Sequence, residues 1–545
     1  MEVNMQAFIK AVLALLFYTI TIALTPITGQ AAERDIILLH TNDIHCAVND
    51  GLGLARVGWL KQELKKENPN VILIDAGDAI QGAPVGRLSK GNSMITIMNA
   101  VGYDFCIPGN HEFDYGMDRF LELSKKLDAG YYCANMRKLY DQESILPAYK
   151  IFTFEETKVA LIGVTTPETL TSSTPIFFQD EYGQYIYSFC EDNKGTALYS
   201  SVQECINEVR KAGAEYVFLV AHLGKNGGNK KWTSVALARN TYGVNGIVDG
   251  HSHEQYNQLV VNKLGDDVLL MQTGNRLAAI GQINITPKGK IKSKLIREIA
   301  GEADIVKKVI SQEIFKYEPL LEQPVGEALV KLHSFDPQTG DRLVRRSESN
   351  MGDFVADSFR AVLNCDAAIA NGGGIRKEIA PGIITYKNLI EAFPFGNMCS
   401  VIEVTGQQLL DALEVGVRKY PEESGGFLQV AGLSYSIDST IPSSVIMDTH
   451  GDFVKVDGQY RVHNVMIGDE PLDLNKNYTL GGIDYILRHG GNGMTMFKGA
   501  RVIKDAVIQD YDAILEYLQN HLNGCIDEKY ANPYGEGRIS VISDN

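Results

Sequence analysis

Five times in the first half of the chain a short apolar run ends and a metal-competent side chain follows at once. The runs at 36–40, 71–75, 103–107, 216–221 and 246–248 lead into Asp43 and His45, Asp78, Asn110 and His111, His222, and His251 with His253. Amphipathic stretches at 55–66, 93–101, 117–127 and 197–212 separate the runs, and a further run lies at 159–164. Short runs alternating with helical stretches predict a layered α/β domain. Strand ends of an open α/β sheet converge on one edge, so loops far apart in sequence meet there. Two later runs, 268–273 and 278–286, read as strands on a second face.

At 545 residues the chain exceeds what one core can hold, which predicts two domains. The charged helical stretch 303–321 stops before Pro324 and reads as the connector. The expected division is a signal segment at 1–31, a first domain at 32–302, a connecting helix at 303–322 and a second, α+β domain at 323–545. The second domain has helical stretches at 351–363, with Ser349 or Asn350 as cap, and at 407–417, with Thr405 as cap. With 51 Lys+Arg against 67 Asp+Glu, the net charge is −16, which argues against nucleic acid or an anionic membrane surface as partner.

Residues 11–24 form an uncharged apolar run after Lys10. That is short of the about 20 residues of a membrane span and suits the apolar region of a secretory signal. Cleavage after Ala31 would put Gly29 and Ala31 where a signal peptidase prefers small residues, and an uncleaved anchor is the alternative. The expectation is an exported protein, periplasmic, secreted or at the cell surface, with no span in the mature chain. The eight cysteines are scattered with no zinc-finger spacing, so their pairing is left open.

The mixture of Asp, Asn and His suits two divalent ions, about 3.5–4 Å apart and bridged by a carboxylate. Asp78 is the candidate bridge. Taken in order, D-x-H, G-D, G-N-H-E-F-D, a strand-terminal His and G-H-S-H resemble the calcineurin-like metallophosphoesterases, over roughly residues 35–253. The resemblance implies a four-layer α/β/β/α sandwich. It implies one ion held by Asp43, His45, Asp78 and His253, and another held by Asp78, Asn110, His222 and His251. It makes His111 and Asp114 the catalytic pair, with Asp114 fixing the His111 tautomer. Zinc is the first expectation for both ions, with manganese, cobalt or magnesium as alternatives.

In the second half, VRRSESNMGD, NGGGIR, FPFGN and RHGGNGM resemble motifs of the 5′-nucleotidase C-terminal domain. Arg345 and Arg376 can each grip phosphate or carboxylate by paired N–H donors. Asn371 and Gly373 belong to the Gly-rich turn, and Phe395 offers a stacking face. The family pattern has a second stacking aromatic and an Asp where this chain has Ile486 and Asn492, which makes neighbouring Tyr485 the candidate second wall. The resemblance to the 5′-nucleotidase / 2′,3′-cyclic-nucleotide phosphodiesterase family implies hydrolysis of nucleoside 5′-monophosphates by in-line attack of a dimetal-activated water. It also implies that the two domains close on the substrate. Cyclic nucleotides, UDP-sugars and dinucleotide pyrophosphates are the alternative substrates. A surface ligand-binding protein without activity is the non-enzyme alternative. Oligomeric state is left open.

Overall fold

The structure, a computed structural model, describes residues 34–226 and 229–542, so the signal segment lies outside the described residues. In the first domain the strands Ile36–Thr41, Val71–Asp75 and Phe105–Cys106 run parallel, and Ile280–Ile285 and Ile291–Ile296 complete a five-stranded sheet on the other side of Ile36–Thr41. A second sheet of six strands has Thr157–Thr165, Tyr216–His222, Gly246–Val248 and Asp267–Thr273 in parallel at its centre.

Each central strand is buried on both faces, as parallel sheets require. Leu38, Ile74, Leu161 and Val220 fill the space between the sheets. Leu39 and Leu73 face outward onto the helices Leu54–Glu67 and Asn92–Val101. Ile162 and Leu219 face outward onto the helices Thr196–Lys211 and Ser234–Asn240. The result is the expected α/β/β/α sandwich.

The connector differs from the single helix expected. It is two helices, Asp304–Phe315 and Glu318–Leu321. Pro319 has no N–H to give to the carbonyl of Phe315 four residues back and is tolerated only in the first turn of a helix, so the first helix stops and a second begins. Val306 and Ile310 of the first helix are buried in the first domain's core, which fixes this part of the connector to that domain.

The second domain has one large core around a five-stranded sheet in the order Leu428–Ala431, Ala367–Asn371, Asn477–Ile483, Met398–Thr405, Arg501–Gln509. Helix Asn350–Leu363 is capped by the Ser349 side chain, and Gly406–Val417 by a reciprocal Thr405–Gln408 capping box. Asn350 does not cap. Its amide instead donates to the carbonyls of Lys331 and Tyr530. All eight cysteines are free thiols, five of them buried as small hydrophobes. No helix among the described residues is long and apolar enough to cross a membrane.

Candidate active site

The parallel strands of both first-domain sheets deliver their carboxyl ends to one edge. Asp43, His45, Asp78 and His253 meet there, their ligand atoms all within 4.8 Å of one another. Asp43, His45, Asp78, His251 and His253 all take positive φ, between 49° and 77°. Non-glycine residues avoid this region at a cost of about 1–3 kcal/mol each, so the surrounding packing fixes these side chains rather than local preference. Close approach adds to this at Gly109, where a Cβ would overlap the Asp78 carboxylate.

His222 lies beside this group, with Nδ1 donating to the Ala76 carbonyl at 2.8 Å and Nε2 3.1 Å from Asp78 Oδ2. A lone-pair nitrogen this close to a carboxylate oxygen needs a cation or a proton between them. Without an ion, burial opposes a charge on His222, yet the Asp78 carboxylate outweighs burial and holds it up at about 10. Burial in turn works to raise Asp78, but His222 and His111 hold it well below the usual carboxylate range. His45 Nδ1 donates to the Gln81 carbonyl at 3.1 Å, and its Nε2 stands 3.1 Å from His253 Nε2. Burial keeps both rings neutral, pushing them well below the ordinary histidine value. Neutral His45 and His253 and an ionised Asp78 are the protonation states that divalent ions need, and the proton that Asp78 holds on His222 is one that an ion would displace, so this donor set fits them.

Asn110 Oδ1 and His251 Nδ1 are 3.0 Å apart on the other side of Asp78. His111 Nδ1 pairs with Asp114 Oδ2 at 2.6 Å, and Ser173 donates to the other Asp114 oxygen at 3.0 Å. Burial opposes a charge on His111, but Asp114 outweighs it and raises the ring above its ordinary value.

Three strand ends of the second domain form the opposite wall. Ala367–Asn371 and Asn477–Ile483 end there, and Met398–Thr405 begins there. A cleft of about 760 Å³ between the walls is lined by Asp78, Asn110, His111, Asp114, His251 and His253 on one side. Arg345, Asn371, Gly373, Arg376, Phe395, Tyr485 and Asn492 line the other side. Of the residues singled out from sequence, only Asp43, His45 and His222 do not line this cleft, and Asp43 and His222 are fully buried behind it.

The two walls touch. The Phe395 and His111 ring centroids are 5.5 Å apart, and Arg376 lies 5.6 Å from the Phe395 centroid. The Tyr485 hydroxyl donates to the Thr171 carbonyl at 2.7 Å. Ile486 is buried in the second-domain core and turned away from the cleft, while Tyr485 faces it. The Asn492 amide nitrogen is buried there without a partner.

Sequence reasoning missed three groups. Glu112 accepts the backbone N–H groups of Asp78, Ala79, Ile80 and Gly109 at 2.6–3.3 Å, tying together the two loops that carry Asp78 and Asn110. Its GNHEFD context was the available signal. Arg342, three residues before Arg345, reaches to 3.4 Å from His253 Nδ1. Glu168 contacts His251 and carried no signal in its own segment.

Two family models match the chain. One, described as calcineurin-like phosphoesterase, covers residues 36–255. The other, described as 5′-nucleotidase, C-terminal domain, covers residues 325–499. A 5′-nucleotidase of Vibrio parahaemolyticus is 28% identical over 92% of this chain and 91% of its own length. The 5′-nucleotidase of Rattus norvegicus is 27% identical over 95% of this chain and 92% of its own. A crystal structure of a 5′-nucleotidase precursor from Thermus thermophilus superposes with a TM-score of 0.77 at 27% identity, covering 94% of this chain and 100% of the other. A calcineurin-like phosphoesterase domain, a 5′-nucleotidase C-terminal domain behind it and likeness to 5′-nucleotidases along nearly the whole chain make this protein a phosphoric ester hydrolase.

Proposed function

We propose that the protein is exported and hydrolyses nucleoside 5′-monophosphates to nucleoside and phosphate. The observation that carries this reading is the shared cleft, which sets a cluster of ion ligands opposite two arginines and two aromatic rings. Asp43, His45, Asp78 and His253 would hold one ion, and Asp78, Asn110, His222 and His251 the other, with zinc the expected metal. Such a pair supplies Lewis acidity and lowers the pKa of water towards neutrality.

The chain's own residues do the rest. Arg345 and Arg376 bind the non-bridging phosphoryl oxygens through paired N–H donors. Asn492, with its unpartnered amide, and Asn371 serve the ribose hydroxyls. Phe395 and Tyr485 stack on the base, which tolerates purine and pyrimidine alike. Asp114 fixes the proton of the His111 ring on Nδ1 when the ring is neutral, so Nε2 is the nitrogen that faces the substrate. A second proton held there steadies the phosphoryl charge and passes to the departing ribose oxygen. Closure of the cleft excludes water from these contacts.

The test is phosphate release from AMP by the mature protein, with chelator and then with zinc or manganese restored. Metal-dependent release, lost in Asp78→Ala together with ion content, is the expected result. Turnover of cyclic nucleotides or dinucleotides with none of AMP would overturn the substrate assignment.

A further inference from the structure

The segment that follows the strand Thr157–Thr165 is the next contact beyond the ion ligands. Glu168 Oε2 stands 3.2 Å from His251 Nε2, while His251 Nδ1 faces Asn110 Oδ1 at 3.0 Å. The His251 ring is therefore held between two oxygen acceptors, and a neutral imidazole has one N–H to give. A carboxylate is the stronger acceptor of the two. With the N–H directed to Glu168, Nδ1 keeps its lone pair beside the Asn110 oxygen, and both point to the same place. The other tautomer gives Nδ1–H to Asn110 and takes both atoms away from an ion.

We propose that Glu168 is a positioning residue for the second ion, acting through His251 by fixing its tautomer and ring orientation. The inference rests on the two-ion reading above. The same segment carries Ser173, which holds Asp114, and Thr171, whose carbonyl receives the Tyr485 hydroxyl from the second domain. One stretch of chain thus supports a candidate ion ligand and the acid pair, and it meets the closing domain.

Titrating the metal-stripped full chain with zinc, against a chromophoric chelator of known affinity, tests this directly. Wild type should take up two ions. Glu168→Ala should retain the first site and weaken the second by about 10–100-fold, the usual effect of losing such an outer partner. Glu168→Gln, which keeps an oxygen acceptor, should recover affinity to within roughly threefold of wild type. Unchanged melting of the stripped variants guards against misfolding. A Glu168→Ala chain whose second site binds as in wild type overturns the proposal and leaves the two-ion reading standing. A wild-type chain that binds a single ion overturns both.

Discussion

On the first-domain wall of the cleft, the candidate ion-holding groups are short side chains within a few residues of a strand end, held on a backbone of positive φ. On the second-domain wall the arginines and aromatic rings are longer, and loops or short helical turns carry them. Arg376 rests on Phe395, Tyr485 reaches across to Thr171, and Asn492 has a buried amide nitrogen without a partner. The first wall is preorganised for chemistry, where small displacements are costly. Under the proposed function the second binds the substrate. Substitutions on the first wall should therefore act on kcat, and substitutions on the second on KM.

The largest expected effect tests the first half of that contrast. His111→Ala should lower kcat by about 10²–10⁴-fold, the usual contribution of a positioned acid, with ion content unchanged. Steady-state phosphate release with metal analysis on the same sample measures both. Near-normal turnover would remove His111 from the reaction and leave the first wall as an ion cradle only.

Arg376→Ala comes next. Loss of a charge-assisted contact worth about 1.5–3 kcal/mol should raise KM roughly 10–100-fold. The fall in kcat should be much smaller. If kcat falls as steeply as in His111→Ala, the second wall stabilises the reacting phosphoryl group itself, and the division between the walls fails.

Much of the first wall was legible because its ligands follow apolar runs and occur in a recognisable order. The strands Val71–Asp75 and Gly246–Val248 coincide with the runs that announced them. Glu112 stands inside the recognisable GNHEFD segment, yet its role there was not legible, for a physical reason. Its partners are backbone N–H groups, and three of the four lie more than 30 residues away, so no residue type marks them. Glu168 and Ser173 act on other side chains rather than on an ion, and residues with that role leave no spacing pattern. The break at Pro319 was written in the sequence, yet the charged, helix-favouring residues around it masked the break.

Ile486 sharpens the comparison from behind the second wall. Its side chain is 1% exposed, so Ile486→Phe should not supply a second stacking ring. Overpacking should instead cost about 1–3 kcal/mol of stability and leave KM for AMP unchanged. Thermal melting and KM on one preparation separate the two effects. A lowered KM would mean that the inserted ring reaches the cleft and that Tyr485 is not the second wall.

The smallest expected effect concerns the anchor of the Phe395 loop. Asp510 accepts from the backbone and side-chain nitrogens of Asn397 at 3.0 and 3.2 Å, and burial raises its carboxyl from the ordinary 3.8 to about 7. The folded chain therefore holds this proton more tightly than the unfolded one. By linkage, the Asp510 contribution to stability is fully present below the ordinary value and is lost as pH rises through the folded one. Asp510→Asn keeps an oxygen acceptor for the Asn397 N–H groups and has no proton to lose. The melting temperature of the variant minus that of wild type should therefore rise between pH about 4 and pH about 7 and level off above. A difference that stays flat across this range would show that Asp510 is ionised throughout, with Arg87 beside it compensating its charge. The second wall would then rest on a charge pair rather than on a protonated carboxyl.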